Sequence, residues 1–134
     1  MGSIETIEGI GHRYGTKLRK ARVRTTEALL KRGATKKGRA QLATETGLSA
    51  HLILEWTNRA DLMRVKGVGE EYSDLLEAAG VDTVKELKMR NADNLAEQLK
   101  TTNAQKKLTR RVPSATVVAR WVAEAKQTQP TITH

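Results

Sequence analysis

Cysteine is absent from this chain of 134 residues, and so is phenylalanine. Without cysteine there is no disulfide, no thiolate metal ligand and no cysteine nucleophile. Without phenylalanine, a core must be built from Leu, Val, Ile and Ala around four larger rings, Tyr14, Trp56, Tyr72 and Trp121. Four isolated rings do not form a stacking platform for single strands, and core packing is the expected role of each. Only two prolines interrupt the chain and runs of β-branched residues are few, which favours helices and argues against a sheet. No stretch approaches about eighteen apolar residues, and the first residues lack the basic-then-apolar layout of a signal peptide. His12, His51 and His134 are too dispersed for metal-ligand spacing, so neither a metal nor a cofactor is expected.

What is present is a repetition. Ile7-Glu8-Gly9-Ile10-Gly11-His12-Arg13-Tyr14 returns fifty-eight residues later as Val65-Lys66-Gly67-Val68-Gly69-Glu70-Glu71-Tyr72. The copies then stay in register, Leu18 with Leu76, Ala21 with Ala79, Val23 with Val81, Thr25 with Thr83 and Leu29 with Leu87. A glycine pair at such a turn has two uses. The first glycine permits a backbone angle that a Cβ disfavours. The second clears a side chain from a place of close approach. A helix opening there offers unpaired N–H groups and the positive end of its dipole, which suits a phosphate.

Charge separates the copies. The net charge is +9. Residues 1–60 carry 12 Lys/Arg against 5 Asp/Glu, and residues 61–134 carry 12 against 10. Within residues 12–39, eleven basic residues accompany a single acid, Glu27. Such a patch attracts polyanions. After the second turn stand Glu70, Glu71, Asp74 and Glu77, which repel a phosphate at the same place. The first copy reads as a working anion site and the second as its structural twin.

Spacing and capping residues predict a short leading helix over 3–7, then a helix over 12–21 with Tyr14, Leu18 and Ala21 inward. Thr25 caps a short helix that Gly33 stops, and Thr35 caps the next, to about Thr46. Ser49 caps a helix through Trp56 towards Leu62. The second half repeats the order: 70–79 closed by Gly80, a short helix capped by Asp82 or Thr83, and a continuation over 94–100. A basic insert of about seven residues follows, holding Lys106, Lys107, Arg110 and Arg111. Pro113 and Ser114 open the last helix, whose Trp121 matches Trp56 at a spacing of sixty-five. Residues 127–134 read as a flexible tail.

The two glycine turns resemble the helix-hairpin-helix motif, and their tandem arrangement resembles the paired helix-hairpin-helix domains of DNA repair and recombination proteins. Over roughly residues 4–126 the chain is similar to an uncharacterised bacterial family of stand-alone helix-hairpin-helix proteins, classed as a domain of unknown function. The likeness is carried most strongly by 61–72 and by Leu75-Leu76-Glu77-Ala78-Ala79-Gly80-Val81-Asp82-Thr83-Val84. It implies an all-α fold of two pseudo-repeated helix-hairpin-helix units packed into one compact domain, with repeats over 1–60 and 61–126. It also implies that amides of Gly11, His12 and Arg13 hold a phosphate oxygen.

The expected function is non-catalytic binding of nucleic acid, chiefly duplex DNA, through backbone phosphates and without marked sequence preference. Gly9 and Gly11 shape the turn. His12, Arg13, Lys17, Arg19, Lys20, Arg22, Arg24, Lys36, Lys37 and Arg39 supply attraction and flanking contacts. Lys106, Lys107, Arg110 and Arg111 extend the track. RNA is the alternative polymer, since backbone contacts discriminate poorly without a 2′-hydroxyl reader. A protein-interaction adaptor is the rival class. A sequence-specific helix-turn-helix over 42–56 is a third reading, opposed by the lack of Arg, Lys, Asn or Gln facing bases from Ala50, His51 and Glu55. A cytoplasmic protein is expected, nucleoid-associated if it binds DNA.

Overall fold

Serine, threonine and asparagine decide where most of the helices begin. In the computed structural model, which describes residues 2–7 and 9–134, a 3-10 turn over Ile4–Thr6 is followed by eight α-helices among the described residues. They are α1 (Gly11–Lys20), α2 (Thr26–Gly33), α3 (Lys36–Thr46), α4 (Ala50–Leu62), α5 (Glu70–Ala78), α6 (Val84–Leu87), α7 (Ala92–Lys106) and α8 (Ala115–Lys126). Oxygens of Thr25, Thr35, Ser49, Thr83, Asn91 and Ser114 accept from backbone amides at the starts of α2, α3, α4, α6, α7 and α8. Each such cap is worth about 1 kcal/mol. The only extended pairing among the described residues is a single antiparallel bridge, Ser3 to Thr25.

The chain divides into two compact units. The first comprises residues 1–61 with 131–134, the second residues 62–130. In the first, α2 and α1 lie against α3, and the buried side chains include Ile4, Ile7, Leu18, Val23, Leu29, Leu42, Ile53 and Trp56. In the second, α7 lies against α8 and α5, and α6 against α8. Its core joins Leu62, Leu75, Leu76, Val84, Leu87, Leu95, Leu99, Val118, Trp121 and Val122. Burying each such aliphatic side chain contributes about 1.5–3 kcal/mol.

The four rings pair within the units. Tyr14 leans on Trp56 with centroids 5.3 Å apart, and Tyr72 on Trp121 at 5.1 Å. The tryptophans are buried, whereas the tyrosines are only half-buried. The tyrosine hydroxyls therefore stay near water, and that of Tyr72 donates to the Arg111 carbonyl at 3.2 Å.

Three local expectations change. Gly33 does not stop α2 by a left-handed turn, since Ala34 after it is right-handed (φ −62°). Its lack of a side chain instead admits α4, because a Cβ there would stand 2.3 Å from Thr57 Oγ1. Helix α7 is longer than 94–100, starting at Ala92 and running into the basic insert as far as Lys106. Residues 127–134, expected to fray, supply acceptors: the Gln129 carbonyl to Arg64 at 2.7 Å, and the Thr133 carbonyl to Arg39 at 2.8 Å. Thr133 N–H also donates to the Ala34 carbonyl at 2.8 Å.

Candidate nucleic-acid interface

The first glycine corner turns on Gly9, at φ +92°, and Gly11, at φ +60°. Between them Ile10 is buried, and its N–H donates to the Ile7 carbonyl at 3.3 Å. Glu8 lies outside the described residues. The N-cap of α1 is Ile10, which has no side chain to offer the first amides, and no side-chain cap replaces it. Gly11, His12 and Arg13, at the opening of the helix, are all exposed.

Arg13, Lys17 and Lys20 recur at the spacing of one helical face. All three are exposed, and none forms an ion pair with a described residue. His12 and Arg19 lie on a second face, turned to Glu5. His12 Nδ1 stands 3.8 Å from that carboxylate, and Arg19 is ion-paired with it. Arg19, half-buried and already paired, is thus less available than its neighbours. Arg22 and Arg24 follow α1 and are exposed, Arg22 in left-handed backbone at φ +67°. Lys36 and Lys37 open α3 and are exposed.

Arg39 does not belong with them. It is 4% exposed, and its guanidinium donates to the carbonyls of Gly33 and Thr133, both at 2.8 Å. Although it stands three residues beyond Lys36 on α3, its side chain turns into the protein, and its charge serves the carbonyl at the end of α2 and that of Thr133 rather than a ligand. Burial pushes its pKa down from the ordinary arginine value. The guanidinium stays charged all the same.

The insert residues belong to the second unit. Lys106 ends α7, and Lys107 takes the left-handed C-cap at φ +51°. Arg110 and Arg111 line a cavity of about 360 Å³ at the second corner, with Gly67, Gly69, Glu70, Glu71, Tyr72 and Thr109. Here Gly67 has φ +90°, whereas Gly69 is extended and acts as N-cap of α5, again with no side-chain cap. The acids expected to silence this corner thus share its cavity with two arginines that sequence order puts some forty residues away.

A second cavity, of about 380 Å³, also meets Gly67 and is lined besides by Lys66, Val117, Arg120, Trp121 and Glu124. Sequence reasoning missed Lys66 and Arg120. The one available signal was the register that set Trp121 opposite Trp56. On α4, the edge proposed for base reading is partly engaged within the helix, His51 Nε2 lying 3.1 Å from Glu55.

The model of one family matches residues 8–128: Domain of unknown function (DUF4332). The chain belongs to the DUF4332 family. No curated protein and no solved structure matches it. In this DUF4332 chain no helix among the described residues is long and apolar enough to cross a membrane.

Proposed function

We propose that the two units are copies of one helix-hairpin-helix module, and that the first binds the backbone phosphates of duplex nucleic acid, chiefly DNA, without marked sequence preference. The observation that carries this reading is the opening of α1. Six helices have their first amides capped by Ser, Thr or Asn, and the two that follow glycine corners do not. Of those two, α1 alone continues into an exposed basic stripe, Arg13, Lys17 and Lys20, joined by Arg22 and Arg24. Uncapped amides and unneutralised cations around one corner attract a phosphate by hydrogen bond, dipole and charge together. The reading involves no bond-making chemistry.

Five cations that neutralise phosphates release the counterions condensed there, and give a slope of log affinity against log salt of about −4 to −5. Duplex titrations across a salt series measure it. Arg13→Glu with Lys17→Glu removes most of the affinity and flattens the slope, with helical content unchanged. A wild-type slope near zero, or full affinity in the double variant, overturns the proposal. A partner retained after nuclease treatment would favour the adaptor reading instead.

A further inference from the structure

The cavity of about 380 Å³ in the second unit is edged by an indole donor that no described residue accepts from. Trp121 is 2% exposed, and its indole Nε1–H can only donate. No described residue accepts from it; its recorded neighbour is the Tyr72 ring. An indole whose ring is buried ordinarily turns its N–H edge to a polar partner, and here that edge faces the cavity. Nε1 lies 3.3 Å from the point where a Cβ on Gly67 would stand. The missing side chain therefore leaves the N–H edge open at the wall that Gly67 and Trp121 share.

The rest of the lining sets the ligand's charge. Lys66 and Arg120 are exposed cations. The one acid, Glu124, already accepts the Lys66 backbone N–H at 2.5 Å. Two cations and an unpaired donor, opposed by one engaged carboxylate, favour an oxyanion. The volume exceeds a bare phosphate and leaves room for an attached sugar along Val117. We propose that this cavity is a phosphate site, in which Trp121 Nε1–H donates to a phosphate oxygen while Arg120 and Lys66 neutralise its charge. The site is separate from the contact assigned to α1 and stands without it. Its phosphate has two possible sources, a nucleic-acid backbone and free phosphate or nucleotide. The first unit supplies a control. Trp56 Nε1 is likewise close to its corner glycine, 3.7 Å from the Cβ point of Gly9, but Glu55 precedes it where Arg120 precedes Trp121.

The test follows the two indole N–H signals of the full chain by ¹H–¹⁵N NMR, assigned with Trp121→Phe. Inorganic phosphate moves the Trp121 signal saturably, chloride at matched ionic strength does not, and Trp56 stays in place. Arg120→Gln, at an exposed position, weakens the response by about tenfold. A duplex arm identifies the source. Movement with duplex assigns the phosphate to a backbone, and movement with inorganic phosphate alone assigns it to a free ligand; either supports the site when Arg120→Gln weakens it. A Trp121 signal unmoved by both, matched by chloride, or unchanged in Arg120→Gln overturns the site. Loss of duplex affinity with the phosphate response intact sinks only the α1 reading.

Discussion

At the scale of single residues, the two units exchange glycine for a cation at matching turns. Arg22 N–H donates to the Arg19 carbonyl and Val23 N–H to that of Leu18, both at 2.9 Å. In the second unit Gly80, at φ +92°, and Val81 make the same pair of bonds to Glu77 and Leu76. Gly47 closes α3, where Lys107 closes α7. Arg22 and Lys107 are the only non-glycine residues with positive φ among the described residues, and both are basic. Left-handed backbone costs an ordinary residue about 1 kcal/mol, so the side chain at Arg22 is kept at a cost in stability. Arg22→Gly should therefore raise the urea-unfolding free energy by about 1 kcal/mol and lower the magnitude of the salt slope by about one. A destabilised variant with unchanged duplex affinity would refute both halves. Gly33→Ala should act the other way, losing about 1–3 kcal/mol to overpacking against Thr57. Thr57→Ala removes the atom in the way, so a double-mutant cycle should show positive coupling, and strict additivity would contradict the close-approach account.

Among the elements, helix starts were the most legible part of the sequence. A capping oxygen acts on an amide two or three residues ahead, so Thr25, Thr35, Ser49 and Ser114 announce their helices whatever packs above them. Helix ends were less legible. Helix α7 outran its expected end because its buried Leu95 and Leu99 are continued by Asn103, whose side chain accepts from Leu108 and Thr109 N–H and gathers the insert around it. The corners themselves admit a direct comparison. Gly69 is extended, and nothing stands within 4 Å of an added Cβ. Gly69→Ser should supply α5 with its missing cap and add about 0.5 kcal/mol in thermal or denaturant unfolding, from the cap and from the reduced freedom of the unfolded chain. No gain would show that the start of α5 is already satisfied. The same change at Gly11 carries the strain of φ +60° and should not stabilise.

Across the whole molecule, charge and chain ends were visible in outline only. The first unit carries 12 Lys/Arg against 6 Asp/Glu and the second 12 against 9, so the excess of cations lies in the first. Residues 131–134 belong to that first unit, where Thr133 bonds Ala34 and Arg39. Ending the chain at Pro130 leaves the buried Arg39 guanidinium short of an acceptor, and should cost about 1–3 kcal/mol of stability without changing the salt slope. Unaltered stability would show that the final residues contribute nothing to the first unit.

The sequence by itself determined the helical class, the positions of the caps and both glycine corners, because these depend on φ and on donors within a few residues. It also located the excess of positive charge. Only the tertiary structure decided which cations face water. Arg39 turned inward to two carbonyls, Arg19 was paired with Glu5, and Arg110 and Arg111 reached the acidic corner. Burial and pairing depend on what other elements bring alongside, and one-dimensional order carries no such distance. The open indole of Trp121 belongs to the same class, since a donor lacks a partner only in relation to everything packed around it.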